Sequence, residues 1–181
     1  MGVTIHYSFV KTHVPEELLK KAEVLAKKLG FKIEKRSWNH LLVNPHEESE
    51  WIDLHWHKVK TIKEREGWDL EKAQIEDSRV GKLSDSDWYC GGFTKTHYAG
   101  AECHVRVAEF LRFIASHCEK TNVYDEADYY EKGWTDKTIT ELNEYWDGYN
   151  NTLSNLTAKL KEVFGDKNVI CGADLGEFEN S

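Results

Sequence analysis

None of the four cysteines, Cys90, Cys103, Cys118 and Cys171, stands at the CxxC spacing of a zinc ribbon or a thioredoxin-like centre. No apolar run approaches the ~20 residues that cross a bilayer. The opening MGVTIHYSF has no basic region ahead of an apolar one, so neither a membrane class nor a secretory route is expected. Reduced thiols in a cytoplasmic protein follow from that expectation, and the N-x-T sequons at Asn150 and Asn155 are then coincidental. Basic charge is scarce as well: 24 Lys and Arg against 32 Asp and Glu leave a net charge of −8. A nucleic-acid binder shows a basic excess or stripe, so that class is excluded. The acidic balance suits a metal ion, a cationic ligand or a basic protein partner. No internal repeat is present.

What remains is a globular composition, 40% hydrophobic and 31% charged, in a chain of 181 residues. That length supports a hydrophobic core without disulfide or metal staples. VTIHYSFV, from Val3 to Val10, is β-branched and aromatic and predicts a first strand. Pro15, Glu16 and Glu17 then open a helix whose apolar stripe is Leu18, Ala22, Leu25, Ala26 and Leu29, with Gly30 as its stop. Phe31 to Val43 predicts a second strand broken near Asn39. Trp51 to Val59 alternates and predicts a third, with Ile52, Leu54 and Trp56 on one face and Asp53, His55 and His57 on the other. The charged stretch from Thr61 to Asp87 predicts a long excursion with one short helix about Leu70 to Ile75.

Trp88 to Thr96 predicts a strand in which Gly91 and Gly92 mark a bulge or a close backbone approach. Ala101 to His117 is an amphipathic helix, and Asn122 to Tyr130 a strand that turns acidic partway. From Ile139 through Leu142, Trp146, Tyr149, Leu153, Leu156 and Leu160 to Val163 the apolar spacing alternates 3 and 4, a heptad stripe on a long helix. The expected architecture is α+β: a two-layer, ferredoxin-like sandwich over residues 1–134 in the order β-α-β-β-β-α-β, followed by the heptad helix and tail over residues 135–181. Each strand-helix-strand unit is expected to cross over and give parallel strands. The heptad face packs on the sandwich or on a second copy, which suits a homodimer.

Four polar segments are candidate sites. THYAGAECH contributes His97, Glu102 and His104 where a strand meets a helix, and histidine with glutamate suits zinc, manganese, iron or nickel. Glu102 also fits an ordinary helix start and stands four residues before Arg106. YDEADYY offers Asp125 and Glu126 as oxygen ligands or as a base. NPHEESE adds His46 and Glu50, residues common in any polar turn. Counting strand directions brings these three segments to one edge of the sheet, where open sheets commonly bind ligands. DLHWH places Asp53, His55 and His57 on one strand face at ~6.5–7 Å spacing, an alternative chelating set or the solvent side of a half-buried strand.

The leading expectation is a divalent-metal or small-ligand site built from Glu102, His104, Asp125, Glu126, His46, Glu50 and His97. Were it catalytic, metal-assisted hydrolysis would be the reaction. The competing expectation is a non-catalytic acidic interaction protein that takes a basic or aromatic-rich partner.

Overall fold

The computed structural model describes residues 3–64 and 80–132, and further along residues 140–144, 146–148, 151, 154–155 and 158. The chain divides into two compact units, 1–134 and 135–181. Every described position of the second unit is helical. Most of the heptad stripe, the residues about 70–75 and the C-terminal tail lie outside the described residues.

The first unit is α+β with two antiparallel sheets. Its strands are β1 (Thr4–Lys11), β2 (Lys32–Arg36), β3 (His40–Asn44), β4 (Ile52–His55), β5 (His57–Lys58), β6 (Trp88–Lys95) and β7 (Lys120–Asp125). Its helices are α1 (Glu16–Lys28), α2 (Val59–Glu64), α3 (Gly100–Ala115) and α4 (Tyr129–Lys132). One sheet has the order β5-β6-β1-β7, the other β2-β3-β4.

Every ladder among the described strands is antiparallel, yet β6 and β7, each antiparallel to β1, run parallel to one another as the strand-helix-strand unit predicts. The reason lies in β1. Its Ile5, Tyr7 and Phe9 are at most 2% exposed, and this apolar strand takes a central place with β6 and β7 on its two sides. Helix α3 therefore carries the chain across β1 in a split β-α-β unit. Helix α1 leads instead into the second sheet. Gly30 ends it at φ +79°, a conformation that favours glycine, and Phe31 N–H closes back on the Ala26 carbonyl at 2.9 Å.

The stretch from Phe31 to Val43 is a hairpin rather than one broken strand. The reversal runs through residues 37–39, where Ser37 N–H donates to the His40 carbonyl. Trp51 to Val59 also divides: β4 pairs with β3, and after Trp56 the chain passes to the first sheet as β5. Asn39 holds that crossing, its carbonyl accepting from Trp56 N–H and its side-chain amide donating to the Trp56 carbonyl, each at 2.9 Å.

One core fills the inner face of the first sheet. Helix α3 packs on β1, α1 packs beside α3 and reaches β2 and β3, and β4 lies against β6. Leu41, Val43, Ile52, Leu54 and Trp56 point inward from the second sheet and are fully buried. A smaller cluster of Val10, Val59, Ile62, Val80 and Tyr89 covers one end of the opposite face of the first sheet. The charged excursion thus begins with α2 and returns at a buried Val80, and residues 65–79 lie outside the described residues.

Gly91 and Gly92 keep a continuous register, Ser8↔Gly91 and Tyr7↔Gly92, so the expected bulge is absent from β6. The close approach is real, and side chains make it. A Cβ on Gly92 would stand 2.8 Å from Tyr7 Oη, and one on Gly91 would collide with the Tyr89 hydroxyl.

Candidate functional site

His104 and Asp125, the centre of the expected metal set, meet in the interior. Their Nε2 and Oδ2 atoms are 3.0 Å apart, and His104 Nδ1 lies 2.8 Å from Thr96 Oγ1. All three residues are fully buried. Thr96 follows β6, His104 lies on the first turns of α3 and Asp125 ends β7, so the chain of bonds ties three elements together. Asp125 also accepts Ala127 N–H and Tyr130 N–H, each at 2.9 Å. This Asx-type turn ends β7 at Asp125, where a strand was expected to run on to Tyr130. Asp128 takes the left-handed conformation at φ 58°, and α4 begins. Burial pushes the Asp125 carboxyl up, but His104 and the two amides outweigh it and hold the group below its usual value.

A hydroxyl, an imidazole and a carboxylate in line resemble a nucleophile relay. Thr96 Oγ1, at the hydroxyl end, is buried with the other two groups. The polar atoms of His104 and Asp125 are engaged with one another, with Thr96 and with the turn after β7. Cys103, next to His104 in the chain, is buried, which pushes its thiol up to about 11.

The other expected residues gather on the rim above this buried chain. Glu50 N–H donates to the Lys95 carbonyl, Thr94 Oγ1 donates to the Glu50 carbonyl, and Lys95 Nζ lies 3.5 Å from Glu50 Oε1. Glu126 Oε2 accepts Thr4 N–H at 2.9 Å, and its Oε1 lies 3.9 Å from His6 Nε2. His97 packs on the exposed ring of Tyr98. Burial and then Lys95 hold the His97 imidazole below its usual value, while Glu50 and Glu126 pull the other way. Lys95, Glu50, Glu126 and His97 therefore share one electrostatic neighbourhood.

His46 belongs to the same loop as Glu50. Its ring Nδ1 accepts Glu48 N–H and its main-chain N–H bonds Asn44 and Ser49, so it mainly shapes the turn. Glu102 is exposed at the start of α3, and Arg106 turns from it to donate to the Leu29 carbonyl.

The alternative set has a different setting. Asp53 and His55 occupy the outer face of the second sheet, opposite buried Ile52, Leu54 and Trp56, as the alternation predicts. Sequence reasoning missed His40, which pairs with His55 across the β3–β4 ladder. The two rings stack at 4.3 Å between centroids and 11°, and His57 adds a third ring 3.9 Å from His55. Burial, then His57 and His40, hold the His55 imidazole down to about 4, so it is neutral at pH 7. The missed signal is the β3–β4 pairing: the turn over residues 45–51 sets Val43 opposite Ile52, and that register brings His40 opposite His55.

As these side chains stand, no group of three or more His, Cys, Asp or Glu is arranged to hold a metal ion among the described residues. No described helix is long and apolar enough to cross a membrane. No family model, curated protein or solved structure matches this chain.

Proposed function

We propose that this protein is a binding protein that takes a small polar ligand at the rim formed by residues 45–50, 95–102 and 126. The carrying observation is the convergence of three separate loops, fastened by main-chain hydrogen bonds, on the neighbourhood of Glu50, Lys95, His97 and Glu126. Beneath it the buried Thr96–His104–Asp125 chain supplies a rigid base, so the rim groups are held by a fixed scaffold.

The charges of the rim choose among ligands. A bare divalent ion would face Lys95, which lies 3.5 Å from the carboxylate that would hold it. That repulsion weighs against an ion at the rim, and against metal-assisted hydrolysis with it. A ligand bearing both a cationic and an anionic group matches the mixed charges of Glu50, Glu126 and Lys95.

Amide chemical-shift mapping with a panel of zwitterionic amino acids and small amines tests the reading. The expected result is a common set of shifts over residues 46–50, 95–102 and 126. Shifts scattered over the surface, or none across the panel, would remove it.

A second reading rests on a different surface. His6, Phe93 and Tyr124 form a row on the outer face of the first sheet, with His6 within 6.1 Å of both rings. Phe93 is 50% and Tyr124 48% exposed. Such a row beside Glu126 in an acidic chain suits a basic, aromatic-rich protein segment. Shifts confined to His6, Phe93 and Tyr124 on adding an arginine- and tryptophan-rich peptide would favour it.

A further inference from the structure

We propose that His40, His55 and His57, on the outer face of the second sheet, form a binding site for a divalent transition-metal ion, with Asp53 as the carboxylate that orients His40. This site is separate from the rim and independent of it.

Three backbone positions deliver the three rings. His40 stands directly across the ladder from His55, and His57 follows two residues later at the crossing into the first sheet. A pair two residues apart on an extended chain, completed by a histidine from the neighbouring strand, is a natural three-imidazole chelate. The ring centroids are 4.3 and 3.9 Å apart, so the groups already share one small space.

At present His40 and His55 stack, His57 is tilted against His55, and the three are not arranged around a common centre. Zinc-to-nitrogen bonds of about 2.0–2.1 Å in a tetrahedral site require the rings to splay until one nitrogen of each points at a common centre. That movement is a side-chain rotation. His55 and His57 are only partly buried, so they have room to turn on their outer side.

Asp53 strengthens the assignment. Its Oδ1 lies 2.8 Å from His40 Nε2, and the carboxylate itself is exposed. His40 is 6% exposed, yet its Nε2 makes no well-directed hydrogen bond. A small turn of the ring aligns Nε2–H with Asp53 and leaves Nδ1 for the ion, the arrangement in which a carboxylate fixes a ligating imidazole. Imidazole donors select zinc, nickel, cobalt or copper over calcium and magnesium. Lys35 is the opposing charge, acting on His55 from the adjacent strand β2. Leu41, Leu54 and Trp56 fill the core from the opposite face.

Cobalt(II) titration of the untagged full chain tests the site through visible d–d absorption. The expected result is one tetrahedral ion per chain, displaced by zinc. His55→Gln and His57→Gln should each weaken it more than about tenfold, and Asp53→Asn about tenfold. Glu50→Gln at the rim should leave it unchanged. His40→Gln risks the fold because the ring is buried, so His57→Gln and Asp53→Asn, both at less buried positions, carry the test once their amide spectra are shown to be native. Ring-proton spectra give a second readout, in which zinc should move His40, His55 and His57 together and leave His97 in place. Absence of saturable binding, undiminished affinity in His57→Gln, or zinc shifts at His97 and His46 instead would each overturn the proposal.

Discussion

The Tyr7 hydroxyl bridges the main chain of Asp53: it donates to the Asp53 carbonyl and accepts from the Asp53 N–H, each at 3.1 Å. One buried phenol on β1 thereby fastens the first sheet to β4 of the second. Burial first and then Cys90 push this phenol well above its usual value against the lowering effect of the Asp53 hydrogen bond, so it stays protonated. Tyr7→Phe leaves the Asp53 N–H without its partner inside the fold and its carbonyl with only the long Cys90 thiol contact at 4.0 Å. The expected cost is about 1–3 kcal/mol of stability, read as a lower urea midpoint at unchanged slope.

Gly92 lies under the same ring. Tyr7 is held by its two hydrogen bonds and by stacking on Phe9 at 5.6 Å, so it cannot yield to an added methyl 2.8 Å away. Gly92→Ala should destabilise the protein by about 1–3 kcal/mol through overpacking. In the Tyr7→Phe background the hydroxyl that meets the methyl is gone, so the penalty should shrink. Thermal unfolding of the two single variants and the double variant measures that coupling.

Asp125 predicts the acid limb of stability. Its folded carboxyl is held below its ordinary value, so between the two values the unfolded chain binds more protons than the native one. Stability from this group is complete above the ordinary carboxylate range and falls as pH drops toward the folded value. Asp125→Ala removes one partner of a buried pair and should cost about 3–5 kcal/mol. It should also flatten the loss of stability in acid, which denaturant titrations at stepped pH would show.

His97 reports the charges of the rim. Burial and Lys95 lower its midpoint, and Glu50 and Glu126 raise it. Lys95→Met should therefore move the midpoint up, and Glu50→Gln or Glu126→Gln should move it down. Carbon-detected ring titrations follow each variant, and unchanged midpoints in all three would separate His97 from the rim.

Local patterns told much of this in advance. The α1 stripe and the Gly30 stop are where the 3.6-residue period and the need for positive φ put them. The face assignment of Ile52, Leu54 and Trp56 against Asp53 and His55 follows from alternation alone. The hairpin at residues 37–39 was hidden because Phe31 to Val43 is apolar enough to pass for one strand. The end of β7 was hidden because only the three bonds accepted by the Asp125 carboxylate and carbonyl from Ala127, Asp128 and Tyr130 reverse the chain there.

By itself the sequence determined the α+β class, the stripes of α1 and α3 and the set of polar side chains from which any site must be drawn. These depend on period, propensity and composition, all of which act between near neighbours. Tertiary structure alone decided that His104 and Asp125 are interior ties and that His40 joins His55 and His57. Those outcomes turn on which strands pair and in what register, and pairing is set by long-range burial of apolar faces that no local window contains.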